Sequence, residues 1–461
     1  MRQIWKKEER ALTWHLLKTM LVLAIPTIFE QILSTLLQYV DTAMVGRLGE
    51  QATAAVSATT TVTWLVSSLA SAIGVATLAM ISKSVGEQDK KSVQSIAKQS
   101  LLLVVVVGIV LGTVSMLLSP FIPKWMGADP QIQKEASRYF FIISIPMLFR
   151  EANTIFGAAL RATKDTVTPM AVNFLSNILN IILNYVCIYL LQLGVEGAAI
   201  SSAICYTISG TLMFLAYRKN EWLRWKWNTF AIDWDKLKEC ARIGLPVLGT
   251  SLTSCLGYVV FAAQVFRMGT VTFAAHSIAV TAETIFYIPG YGLRTATSTM
   301  VGIALGEKDE KKFERISALG IFVTMVMMLC NGVLLFVAAG PLMSLFSTSK
   351  EVVSLGVQML KIVAFSEPFF GLMIIVEGIL YGLGRTRYAF FVETFSMWGI
   401  RIFFTALCVN VWHLSLREVW YCMIADNICK ALLLLLPLLL KKQREKLFPK
   451  DDVKRSEGCY E

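Results

Sequence analysis

Long apolar runs closed by short polar turns recur from Met20 to Leu440. Each is about as long as a helix must be to cross roughly 30 Å of hydrocarbon at about 1.5 Å per residue. Twelve spans are predicted, at 20–44, 55–80, 98–119, 138–160, 169–191, 196–217, 242–265, 275–300, 317–340, 357–380, 388–411 and 418–440. The runs are continuously apolar and lack the period-two alternation of about ten residues that marks a barrel strand, so the pattern predicts an all-α membrane protein.

The pattern also repeats itself. A shift of 220 residues carries Pro26 onto Pro246, Arg47 onto Arg267, Gly49 onto Gly269 and Ser57 onto Ser277. In the turns it carries Gly86, Glu87, Asp89 and Lys91 onto Gly306, Glu307, Asp309 and Lys311, and further on Leu160 and Thr166 onto Leu380 and Thr386. Two tandem six-helix copies enter the membrane from the same side and are related by an axis along its normal, with a cavity expected between the lobes. The expected domains are an N-lobe (1–217), a polar, Trp-rich cytoplasmic linker (218–240), a C-lobe (241–440) and a basic tail (441–461).

Composition agrees: 55% of the residues are hydrophobic and 16% charged, against about 25% charged in soluble domains. The net charge of +11 suggests nucleic acid until its placement is considered. With the N-terminus inside, about thirty Lys and Arg fall on the inner side and about six on the other, the bias of a cell-membrane protein with both termini cytoplasmic. The basic tail is then a lipid-headgroup anchor, and no nucleic-acid partner is expected. The first run holds Pro26 and Glu30 with no small-residue cleavage site after it, and reads as a span rather than a removed signal. The nine cysteines show no paired spacing, so no disulfide framework, metal site or cofactor is expected.

Where the copies differ, chemistry is concentrated in the first. Asp41 matches Phe261, and Asn177, Asn180 and Asn184 match Met397, Ile400 and Phe404. Asn173, Asn177, Asn180 and Asn184 form one helical stripe, as do Glu30, Ser34 and Asp41. Asp41, Asn180, Asn184 and Ser202 fall at similar depth. A carboxylate in hydrocarbon costs several kcal/mol unless it faces protein or water. Asp41, with Asn177, Asn180, Asn184 and Ser202, therefore reads as a coupling site, taking either a proton or, with amide and hydroxyl oxygens, a hard cation such as Na⁺ at Asp41 and Asn180. Packing glue between helices is the plainer reading of the Asn stripe.

Other polar residues are candidates for lining the cavity: Glu30, Gln38, Glu283, Tyr287 and Arg294. Glu283 and Arg294 share one helical face, and Asp426 and Lys430, at i and i+4, are expected to neutralise each other. Glu367, Glu377 and Glu393 receive no role. Without an HExxH motif, a paired-aspartate motif or a Ser–His dyad, the chain is not expected to be an enzyme.

Several segments together resemble the multidrug and toxic compound extrusion family: IPTIFEQILSTLLQYVDTAMVGRLG, GADPQIQKEASRYF, ALRATKDTVTPM leading into NILNIILNYVCI, GVEGAAISSA, TFAAHSIAV and GYGLRTATSTMVGIALGEKD. The resemblance implies two six-helix lobes in a V around a central cavity, exporting cationic or amphipathic organic compounds by alternating access in exchange for H⁺ or Na⁺. It assigns coupling roles to Asp41, Asn180 and Ser202, and it is compatible with a monomer in the lipid bilayer. The sequence departs from the family pattern at Asn184 and Ser254, where acids are frequent, and at Thr163 and Lys164, where glycine-type residues are common. The alternative is a lipid-linked precursor flippase of the same superfamily, which would need several cavity arginines; Arg138, Arg150, Arg294 and Arg401 are the main intramembrane ones.

Overall fold

The computed structural model describes residues 2–227 and 230–440. The basic tail at 441–461 lies outside the described residues. The described chain is helical: α1 (Arg2–Gly46), α2 (Glu50–Gly86), α3 (Lys90–Leu118), the short α4 (Ile122–Trp125), α5 (Pro130–Ser144), α6 (Met147–Ala162), α7 (Val167–Asn184), α8 (Gly194–Lys219), α9 (Trp234–Phe266), α10 (Thr270–Gly306), α11 (Glu310–Phe346), α12 (Lys350–Ala364), α13 (Glu367–Gly382), α14 (Thr386–Ser396), α15 (Phe403–Asn410) and α16 (Leu416–Leu439).

The 220-residue register is written into the boundaries. The limits of α2, α5 and α6 recur, shifted by 220, in α10, α12 and α13. Turn chemistry recurs too. Gln88 and Lys308 both take positive φ (56° and 57°), and Asp89 and Asp309 cap the following helices by accepting from Ser92 N and Lys312 N.

Ten helices among the described residues are long and apolar enough to span a membrane, and two further spans are bent pairs: α5 with α6 at 52° and α12 with α13 at 56°. The runs at 138–160 and 357–380, expected as single helices, are therefore broken. Pro146 at the first break removes a backbone donor and crowds the preceding turn. At the second, Pro368 occupies the first turn of α13, where proline is tolerated and an incoming helix ends.

The contacts divide the chain into two compact units. One comprises Ile25–Ile81 and Asp89–Leu252; the other takes in the chain up to Ala24, Ser82–Gln88 and the chain from Thr253 on. In the first unit the segment after α8 is docked on α3. Gln94 Nε2 donates to Arg224 O at 2.8 Å, Gln99 Nε2 to Ala231 O at 2.9 Å and Ser95 Oγ to Asp233 Oδ2 at 2.8 Å. Asp233 also accepts from Lys236 N, and the Ser95 hydroxyl followed by this amide holds its carboxyl below the usual range. Arg218 lies 4.6 and 4.9 Å from the ring centres of Trp225 and Trp227.

In the second unit the ends of α2 and α10 cross at bare backbone. A Cβ on Gly306 would lie 2.0 Å from Lys83 O, and one on Gly86 would lie 2.1 Å from Ile303 O. The two glycines are repeat-mates, and the contact is reciprocal. Gly306→Ala should lower stability by about 1–3 kcal/mol or more, because backbone cannot yield as a side chain does; thermal unfolding in detergent equal to the parent would refute this.

Lys164 sits at φ +68° where its repeat-mate Gly384 sits at φ +67°. The position is thus a left-handed turn held by a lysine, which costs an L-residue about 1–2 kcal/mol. Lys164→Gly should be neutral to stabilising, and a fall in the unfolding midpoint of several degrees would contradict that account.

Candidate functional site

Asp41 lies near the end of α1, half-buried. Asn184 Nδ2 donates to its Oδ1 at 2.5 Å. Asn180, with its amide nitrogen turned to the carboxylate, donates to Oδ1 at 2.9 Å and Oδ2 at 3.1 Å, and its carbonyl oxygen then faces Ser202 Oγ at 3.4 Å. On the far side the buried Asn184 amide oxygen accepts from Ser201 Oγ. Three helices of the first unit therefore meet at one carboxylate: α1 gives the acid, the last turn of α7 two amides, and α8 the adjacent hydroxyls.

The local backbone serves this arrangement. The α-helix of α7 ends at Asn184 and continues as a π-helical stretch, Tyr185–Leu190. Such stretches are rare and concentrate at functional sites. From it Tyr189 Oη donates to Met44 O at 2.9 Å, tying the end of α7 to the turn after Asp41. A second π-helical stretch, Met397–Ile402, carries Arg401.

Asp41 opens onto a cavity of about 540 Å³ whose lining includes Gln38, Trp64, Tyr139, Arg150, Asn184 and Ser202. Arg150 is fixed there, donating to Ser67 Oγ at 2.5 Å and lying 5.2 Å from the Tyr206 ring centre.

The predicted amide stripe divides. Asn180 and Asn184 serve Asp41. Asn173 belongs to a second cluster, donating to Glu30 Oε1 at 2.5 Å and accepting from Asn153 at 3.0 Å. Asn177 lies between them, partly exposed, and joins neither. Glu30 is buried and paired with Arg161 at 2.6 Å; it is not among the residues lining the Asp41 cavity, whereas Gln38 is. The sequence reading missed Arg161 and Ser201. Ser201, one residue before the chosen Ser202, is the hydroxyl that reaches Asn184.

The second unit holds its own cavity, about 340 Å³, lined by Tyr258, His276, Glu283, Tyr287, Arg401 and Asn427 among others. Glu283 and Tyr287 thus face a cavity, but Arg294 does not share it. Arg294 pairs with Glu377 at 2.6 Å and lies 4.7 Å from the Tyr291 ring centre, so the shared helical face of Glu283 and Arg294 does not make them partners. Asp426 does meet Lys430, at 2.9 Å, and also Arg401 at 2.8 Å. One carboxylate thus faces two cations, and Arg401 Nη2 donates to Asn427 as well.

A multi-pass helical protein with a tandem six-helix repeat and a polar cavity served by one unduplicated carboxylate has the architecture of a membrane transporter. The repeat is itself visible in the family match, which covers residues 26–186 and again 246–407 with the MatE model. The chain belongs to the MatE family, as the sequence resemblance implied. It is 26% identical over 430 residues to the probable multidrug resistance protein NorM of Thermotoga maritima, covering 92% of each chain. It is 24% identical to the multidrug resistance protein MdtK of Edwardsiella ictaluri, covering 84% of this chain and 86% of that one. Among solved structures it matches a multidrug resistance MATE family transporter in an outward-facing conformation, with a TM-score of 0.88 at 22% identity, covering 95% of this chain and 97% of the other.

The Glu30–Arg161 pair carries a stability prediction. Arg161→Gln strands a buried carboxylate and should cost about 3–5 kcal/mol, while Glu30→Gln with Arg161→Gln together should recover most of that loss. Equal unfolding midpoints for the single and double variants in a mutant cycle would show that the charge pairing is not the cause.

Proposed function

We propose that this chain is a secondary active antiporter that exports small organic compounds, cationic or amphipathic, in exchange for H⁺ or Na⁺ by alternating access. The observation that carries this reading is Asp41: a carboxylate held by neutral amides rather than by a fixed cation, open to a cavity of about 540 Å³. A group so held can exchange its charge. Proton uptake releases the amide donors of Asn180 and Asn184, whereas a bound cation would draw on the oxygens of Asp41, Asn180 and Ser202. Either event changes what α1 and α7 share, which gives the ion a means to bias one conformation over another. Asn177, between the two clusters, has no part in this step.

The multidrug-resistance names of the relatives support an organic substrate, and the outward-facing state of the related transporter supports alternation between states. The same reading takes 1–217 and 241–440 as the two lobes and puts both termini in the cytoplasm. It makes the protein a cell-membrane monomer and calls for no cofactor. The lipid-precursor flippase is not favoured, because Arg138, Arg294 and Arg401 are committed to Glu196, Glu377 and Asp426, and of the four arginines only Arg150 lines the Asp41 cavity.

Efflux of a fluorescent organic cation from proteoliposomes, driven separately by a Na⁺ and by a pH gradient, tests the proposal. One gradient should drive transport, and Asp41→Asn should reduce that driven component by at least about tenfold, since the isosteric amide keeps the shape but loses the exchangeable charge. Full gradient-driven efflux by Asp41→Asn would sink the assignment of coupling to this residue.

A further inference from the structure

A groove of about 470 Å³ lies between α12 and α16 in the second unit, with a floor of apolar side chains that includes Phe365, Ile424 and Ile428. Two cations stand on it, Lys361 and Arg417. Lys361 is exposed, although it lies roughly 16 Å along α12 from that helix's first residue at about 1.5 Å per residue. Its Nζ is 5.3 Å from the ring centre of Phe336. Arg417, in the first turn of α16, donates from Nε to Tyr421 Oη at 3.0 Å and lies 5.5 Å from that ring's centre.

Neither cation is paired with a carboxylate among the described residues. The nearest acid in sequence to Arg417, Glu418, feels that charge but forms no ion pair with it, and accepts from Ser415 N at 3.0 Å and Ser415 Oγ at 2.5 Å. A lysine on the outside of a membrane-spanning helix with no carboxylate to meet it calls for an anion from its surroundings. Those surroundings are apolar: Phe365 is 74% exposed and Phe369 39%. An anion supplied there arrives attached to a hydrocarbon chain. The feature also belongs to one half alone, because the repeat-mates of Lys361 and Arg417 are Phe141 and Gly197.

We infer that this groove binds one anionic phospholipid of the bilayer, its phosphate between Lys361 and Arg417 and an acyl chain along Ile424 and Ile428. Lysine supplies a point charge and arginine the terminal nitrogens that fit phosphate oxygens. The stacking of both cations on aromatic rings holds them in place before the lipid arrives.

Native mass spectrometry of the detergent-solubilised full chain, titrated with phosphatidylglycerol, reads this directly. One molecule should bind with highest affinity, and K361Q with R417Q should weaken it by about thirtyfold, the loss expected of two basic contacts. K361Q alone, at an exposed position that the fold does not need, should weaken it by about fivefold. Phosphatidylcholine should bind no better to the parent than to the double variant, and soluble glycerol phosphate should not compete. Equal phosphatidylglycerol affinity in parent and K361Q, or binding of phosphatidylcholine to the parent as tight as that of phosphatidylglycerol, would overturn the inference. Competition by glycerol phosphate would reassign the pair to a soluble anion.

Discussion

A carboxylate inside an apolar medium is costly unless donors or an opposite charge meet it, and four acids of this chain are met in two different ways, whereas the buried Glu151 and Glu367 are met by neither. Glu30 has Arg161, Glu377 has Arg294, and Asp426 has both Arg401 and Lys430. In each of these the countercharge is permanent and the pair holds helices together. Asp41 is met by amides instead. Neutral donors satisfy the carboxylate without cancelling it, so no fixed cation of the chain is tied to this site.

The same rule gives the two units different characters. The first presents an acid, amides and hydroxyls around its cavity, with Arg150 anchored to Ser67 and Tyr206. The second surrounds its smaller cavity with aromatic rings, His276, Glu283 and an arginine already engaged by Asp426. A common frame thus carries two chemistries. Both of the π-helical stretches described above fall where that chemistry is placed, after Asn184 and around Arg401, which widens the helix where a side chain has to be re-aimed.

Much of this was legible in the sequence, for identifiable reasons. Hydrophobic length set the spans, and a constant offset set the repeat, because both are properties of neighbouring residues. The failures of the repeat pointed to Asp41, Asn180 and Asn184, which the fold brings together. Pairings across helices were not legible. Periodicity put Glu283 and Arg294 on one face, yet Arg294 turns to Glu377 on another helix; it put four amides in one stripe, yet Asn173 serves Glu30. Ser201 rather than Ser202 reaches Asn184 because helix rotation at a packing interface is set by neighbouring helices. The breaks in the fourth and tenth spans had a visible signal in Pro146 and Pro368, outweighed by continuous hydrophobicity.

The left-handed turns hold a record of descent. Gly49 and Gly269, Gln88 and Lys308, and Lys164 and Gly384 keep matching positive φ values although only the first pair keeps its residue. At these three turns torsion angles have outlasted side chains, because changing a turn's handedness redirects the helix after it, whereas changing its residue costs a kcal/mol or two; Gly127 at φ +74° and Ser347 at φ −146° have diverged. The turns are therefore natural seams, where a segment of one half has the backbone geometry to be exchanged for its counterpart in the other.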